Sequence, residues 1–187
     1  MVVPLTTLAT RLRARDLDSL PHEWDTQYEL IEGVLYMSRR PSNEHQIAIA
    51  KIILCLGPPV AEAAGTIVPE PGLVWDEDGD DNVSPDVAVA LRSAVARVTK
   101  LTECPDLVIE VLSPGPETRE RDFRAKRNLY WRKGAHEHWI LDIERRRLHQ
   151  FTRGRNSWRE RVLTSKAVVK TTLLPRWPGS SVSEMLP

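Results

Sequence analysis

Apolar residues recur along this chain at two spacings, and the spacing sorts the chain into strands and helices. Tyr28 to Met37 alternates apolar and polar positions around Glu32-Gly33, which predicts two short strands joined by a turn, with Glu29 inside the first. From Glu44 to about Leu56 the apolar residues return at helical intervals behind a Ser42 or Asn43 cap. The stripe Ile47, Ala50, Ile53 and Leu54 is expected to face a core. Pro58-Pro59 predicts a break or kink, with helix resuming from Val60 to Ala64 before Gly65. Upstream, Thr6 or Thr7 is placed to cap a helix running to about Leu20, stopped by Pro21 and packed through Leu5, Leu8, Leu12 and Leu17.

The remaining pattern alternates between strand and helix. Thr66 to Glu70 and Gly72 to Trp75 read as strand pieces, Asp76 to Asn82 as a solvated turn, and Val83 to Ala90 as one strand. Arg92 to Leu101 is expected to be a short exposed helix, and Pro105-Asp106 opens a central strand ending at Leu112. Ser113-Pro114-Gly115-Pro116 is a break. A helix follows from Thr118, its cap, to Gly134 at its C-terminal position. His138 to Asp142, Arg147 to Phe151 and Trp158 to Leu163 are expected strands, and Pro175 to Pro187 an irregular tail. This order predicts an α/β or α+β sandwich. The 187 residues suit one domain: a helical extension over 1–27, a core over 28–151, and a C-terminal strand and tail over 152–187.

Charge is balanced overall, at 26 basic and 26 acidic side chains, but it is segregated along the chain. Ile52 to Leu91 holds eight acids and no Lys or Arg, whereas Glu117 to Arg161 holds fourteen basic residues and seven acids. One segment suits cations and the other suits phosphates. The acidic turn lacks the Glu at its twelfth position and the flanking helices of an EF-hand, so a hairpin loop is favoured over a calcium site. Two cysteines, Cys55 and Cys104, make no CxxC pair and read as reduced thiols. Without a signal-like segment or an apolar run of bilayer length, a cytoplasmic location with no membrane partner is expected.

Against this background, two acids are out of place. Asp86 lies in Ser84-Pro85-Asp86-Val87-Ala88-Val89-Ala90, and Glu110 interrupts Leu107-Val108-Ile109-Glu110-Val111-Leu112. A buried carboxylate is neutralised, paired or bound to a metal. If their strands are neighbours, Asp86, Glu110 and the carbonyl of Val111, with waters, meet the hard-oxygen octahedral preference of Mg²⁺, for which Mn²⁺ substitutes. Lys126, on the next helix, suits phosphate neutralisation or orientation of an attacking water. Glu29 is a third ligand, the partner that orients Lys126, or a structural residue. His45, near a helix start, serves as an accessory base, a phosphate contact or a cap. Tyr130 and Trp139 read as core aromatics.

Tyr28-Glu29-Leu30-Ile31-Glu32-Gly33, Ser42 with His45-Gln46, Ser84-Pro85-Asp86, Pro105 to Pro114, Lys126-Arg127-Asn128-Leu129-Tyr130 and Glu137 to Asp142, in that order, resemble the Uma-two (Uma2) family. This is a branch of the PD-(D/E)xK nuclease-like superfamily, and the resemblance spans roughly Tyr28 to Phe151. It implies a restriction-endonuclease-like core, with a mixed central sheet flanked by helices. It also implies that Asp86 and Glu110 are the metal-binding acids, and that Glu29 is the early acid. The superfamily places Lys two residues after the Glu, where this chain has Leu112; Lys126 matches the shifted position of the Uma-two pattern. The expectation is therefore an Mg²⁺-dependent DNA endonuclease, acting as a homodimer on duplexes. The alternatives are a catalytically silent nucleic-acid-binding or regulatory module, and a hydrolase of RNA or small phosphoesters.

Overall fold

A computed structural model of the chain describes residues 11–21, 26–91, 101–113 and 115–187. The start of the early helix and nearly all of the helix expected from Arg92 lie outside them. The elements are β1 (Thr26–Ile31), β2 (Val34–Arg39), α1 (Asn43–Glu62), β3 (Thr66–Pro69), β4 (Leu73–Val74), β5 (Asn82–Val83), β6 (Val87–Ala90) and β7 (Leu107–Leu112). They continue as α2 (Pro116–Glu120), a π turn (Arg121–Lys126), α3 (Arg127–Lys133), β8 (Glu137–Asp142), β9 (Arg147–Arg153), β10 (Trp158–Thr164), β11 (Val168–Val169), β12 (Ser180–Ser181) and α4 (Val182–Met185).

A six-stranded sheet in the order β10-β9-β8-β7-β6-β3 forms the centre. Its pairs are antiparallel except β7 with β8, which run parallel. A parallel pair needs a crossover, and the helical run from Pro116 to Lys133 supplies it. Every residue of β7 and β8 is buried, the signature of strands covered on both faces. On β7, Leu107, Ile109 and Val111 pack with Ala48, Ile49, Ile52 and Leu56 of α1. The alternate residues Val108 and Leu112 turn to the other face, towards the crossover. Glu110 shares that second face, which is also covered by a smaller sheet of order β2-β1-β5-β4.

The structure departs from the expected elements at five places. The stretch expected as one strand from Val83 to Ala90 is two: β5 joins the small sheet, β6 the large one, and Ser84-Pro85-Asp86 turns the chain between them. Pro85 has no N–H for a ladder bond, so the strand ends there. Asp86 therefore sits at the mouth of β6, not mid-strand. The helix α1 runs unbroken through Pro58 and Pro59. Its buried stripe continues as Ile52, Leu56 and Val60, and Pro58 faces solvent. That stripe is rotated from the expected one, for Ile47 and Leu54 are exposed.

At the ends of the chain, Ala14–Ser19 forms a 3-10 helix, because the Asp16 side chain accepts the Arg13 N–H and holds a local turn. The tail beyond Pro175 is ordered: β12 pairs with β11, and Val182, Met185 and Leu186 are buried against the α1 side of the core. The crossover helix begins at Pro116, ahead of Thr118, and ends as expected at Gly134, in the left-handed region at φ 98°.

Candidate active site

Where the two sheets part, the segment Ser84-Pro85-Asp86, the end of β7, the start of α1 and the crossover enclose a cleft of about 590 Å³. Glu29, His45, Asp86, Glu110, Val111 and Lys126 all line it. The antiparallel β6–β7 register, Val87 opposite Ile109, brings Asp86 level with the carboxyl-terminal half of β7. Asp86 Oδ2 accepts the Val111 N–H at 2.6 Å. The N–H and C=O of one strand residue point to the same side, so the Val111 carbonyl is turned towards the same edge.

Lys126 reaches the floor from a π turn. Arg121 and Lys126 are five residues apart, the hydrogen-bond spacing of that turn, and both line the cleft. The Lys126 ammonium is buried, 2.8 Å from Glu29 Oε1 and 3.0 Å from Glu110 Oε2. Tyr130 donates its hydroxyl to Glu110 Oε1 at 2.7 Å, so both oxygens of Glu110 are held. Glu29 accepts the Ser84 N–H at 2.9 Å and also pairs with Arg121 at 3.4 Å. It therefore ties Lys126 to the segment carrying Asp86. Arg121 in turn pairs with buried Asp122 at 2.9 Å.

His45 lies in the first turn of α1, where its backbone N–H is accepted by Ser42 Oγ at 3.3 Å, the helix N-cap. Its ring bridges Asp86 Oδ1, 2.9 Å from Nε2, and Ser113 Oγ, 3.1 Å from Nδ1. It is thus a neighbour of the acid. Among the described residues, no three His, Cys, Asp or Glu side chains converge as a ready-made ligand cluster. The donors on offer to a cation are the two carboxylates of Asp86 and Glu110 and the Val111 carbonyl, an all-oxygen set of the kind Mg²⁺ completes with water.

Electrostatics single out the same spot. Glu29, Glu110 and Asp122 crowd round the two cations Lys126 and Arg121, and Asp86 is close enough to act on Glu110. Burial is the main cause that raises Glu110 to about 8; Lys126 opposes it, and Asp86, Asp122 and Glu29 reinforce it. Burial likewise disfavours the Lys126 ammonium, but Glu110 and Glu29 outweigh it and hold its pKa above the usual lysine range. Asp122 is also raised, first by burial.

Two participants are not legible as site residues in the sequence. Tyr130 has helical core spacing, and only its position four residues after Lys126 hints that the two share a face. Arg121 is one of many charges on the crossover. Conversely, Asp81 belongs to a turn expected to be solvated, yet it is buried, accepting the Glu32 N–H at 2.9 Å and pairing with Lys133 at 3.0 Å.

A family model described as Uma2, "putative restriction endonuclease", matches residues 14–179. No curated protein matches the chain. Among solved structures, a protein from Anabaena variabilis ATCC 29413, described as a "putative nuclease", is similar with a TM-score of 0.76 and 16% identity, over 93% of this chain and 97% of that one. At that identity the likeness concerns the fold, and the mixed sheet flanked by helices is the expected restriction-endonuclease-like architecture.

Proposed function

The chain belongs to the Uma2 family, and from that premise we propose that it is an Mg²⁺-dependent endonuclease hydrolysing DNA phosphodiesters at the cleft floored by Asp86 and Glu110. The observation that carries this reading is the convergence of Asp86, Glu110 and Val111 on one opening, with Lys126 at its floor. Those three groups would hold the ion, and Mn²⁺ would substitute for Mg²⁺. A cation bound there supplies an activated water and a counter-charge for the phosphoryl oxygens.

The chain's own residues set the geometry. Tyr130 and Lys126 hold the two Glu110 oxygens in one orientation. Lys126, kept charged between Glu29 and Glu110, is no proton acceptor; it offers fixed positive charge at the floor, where negative charge builds on phosphate. Arg121 adds a second charge on the wall, and Arg39 and Arg40 line the same cleft, on the path of a phosphate backbone. Cutting both strands of a duplex calls for two such clefts, so a homodimer belongs to this reading.

A silent binding module on the same fold is the second reading. Lys126 and Tyr130 already occupy both oxygens of Glu110, a network that is structural in its own right. The test is cleavage of circular and linear DNA with Mg²⁺ or Mn²⁺, beside calorimetric titration of Mn²⁺. Cutting by the natural protein, lost in Asp86→Asn and Glu110→Ala, is expected. Metal binding without cutting of any substrate would favour the silent module.

A further inference from the structure

Asp86 has its two oxygens held from different directions: Oδ2 by the Val111 N–H, and Oδ1 by His45. A carboxylate only accepts hydrogen bonds, so the bond to Oδ1 requires the proton on Nε2 of His45. In the neutral ring Nδ1 is then an acceptor, and the only matching role for Ser113 is to donate its hydroxyl to it. The chain Ser113 Oγ–H to Nδ1, then Nε2–H to Asp86 Oδ1, has one direction throughout.

Each member comes from a different element. Ser113 directly follows β7, which carries Glu110 and Val111; His45 is fixed in the first turn of α1; Asp86 stands at the mouth of β6. His45 is buried, its side chain 7% exposed. With Ser42, both His45 and Ser113 also line a second cavity of about 540 Å³, so they form the wall between it and the cleft.

We propose that Ser113 is a positioning residue, which fixes the orientation of the His45 ring and through it aims the remaining Asp86 lone pairs into the cleft, where a divalent cation would bind. This rests on the reading of Asp86 as a metal ligand. Groups that orient a ligating carboxylate affect metal affinity about 10–100-fold when removed. Ser113 lies on a cavity wall and is half-buried, so losing its hydroxyl leaves the packed core intact.

Two measurements on the full chain test it. Without metal, long-range ¹H–¹⁵N NMR of the imidazole should show His45 as the Nε2–H tautomer, with an Nδ1 resonance that moves downfield in Ser113→Ala as the hydroxyl donor is lost. Calorimetric titration with Mn²⁺ should show binding weakened about 10-fold or more in Ser113→Ala, with an unchanged melting temperature, and restored in Ser113→Thr, which keeps the hydroxyl. Wild-type affinity in Ser113→Ala, or an unchanged Nδ1 resonance, overturns the proposal alone. Absence of Mn²⁺ binding by the natural protein overturns it together with the metal-site reading.

Discussion

Lys126 Nζ stands 3.0 Å from Glu110 Oε2, and these residues, sixteen apart in sequence, form an ion pair with almost no contact with water. Breaking a buried pair from one side leaves an uncompensated charge, at a cost of about 3–5 kcal/mol. Lys126→Met should therefore destabilise the fold by that amount in urea unfolding. Its partners Glu29 and Glu110 are then both stranded, so adding Glu29→Gln and Glu110→Gln should recover most of the loss. A Lys126→Met protein within about 1 kcal/mol of the natural one would mean that water reaches this floor.

The same floor predicts a thermal response to cations. An ion that binds the folded chain and not the unfolded one stabilises it by about 2.7 kcal/mol at a hundred times its dissociation constant. Mn²⁺ and Mg²⁺ should raise the melting temperature, a monovalent salt of equal ionic strength should not, and Asp86→Asn should abolish the rise. Equal shifts in Asp86→Asn and natural protein would place the cation elsewhere.

Tyr130 offers a gentler probe. Tyr130→Phe keeps the ring packed beside His138, at 5.1 Å between centroids, and removes only the donor to Glu110 Oε1. An unsatisfied buried acceptor costs about 1–3 kcal/mol, so a loss in that range is expected, with Mn²⁺ affinity also changed because Glu110 is freed to rotate. If calorimetry finds the affinity untouched, the hydroxyl has a purely structural role.

What could be read from residues alone follows from how local each determinant is. The turn at Glu32-Gly33, the crossover with its Gly134 cap and the buried runs of β7 and β8 depend on neighbours in sequence, and they stand where the pattern places them. Asp86 and Glu110 stood out because charge in an apolar run is a local anomaly. The division of Val83 to Ala90 between two sheets is a long-range matter, since β5 is claimed by β1 and β4 while β6 is claimed by β3 and β7. The same holds for α1, whose buried face is chosen by the sheet and the C-terminal segment, and for Asp81, buried by Lys133 from across the chain. The π turn leaves no compositional mark, so the roles of Arg121 and Lys126 on one wall emerge only from the fold.

His138 gives the fold a pH dependence separate from the acids. It is wholly buried on the second face of β8, its Nδ1–H donating to the Val108 carbonyl at 3.2 Å and its ring stacked on Phe151 at 5.7 Å. Burial, aided by the charges of Lys126 and Arg127, lowers its pKa to about 3 from the usual 6.5, although the bond to Val108 opposes the shift. In the unfolded chain the ring titrates near its ordinary value, so below that point the unfolded state takes up a proton the native state refuses. The contribution of His138 is thus complete above about pH 6.5, and it declines as pH falls towards about 3. The decline approaches roughly 1.4 kcal/mol per pH unit. Urea unfolding at pH 7, 6, 5 and 4 should show this acid slope, and in His138→Phe, which keeps an aromatic ring against Phe151, the slope should shrink by close to one proton. An identical slope in the two proteins would show that His138 is protonated in the folded state over this range.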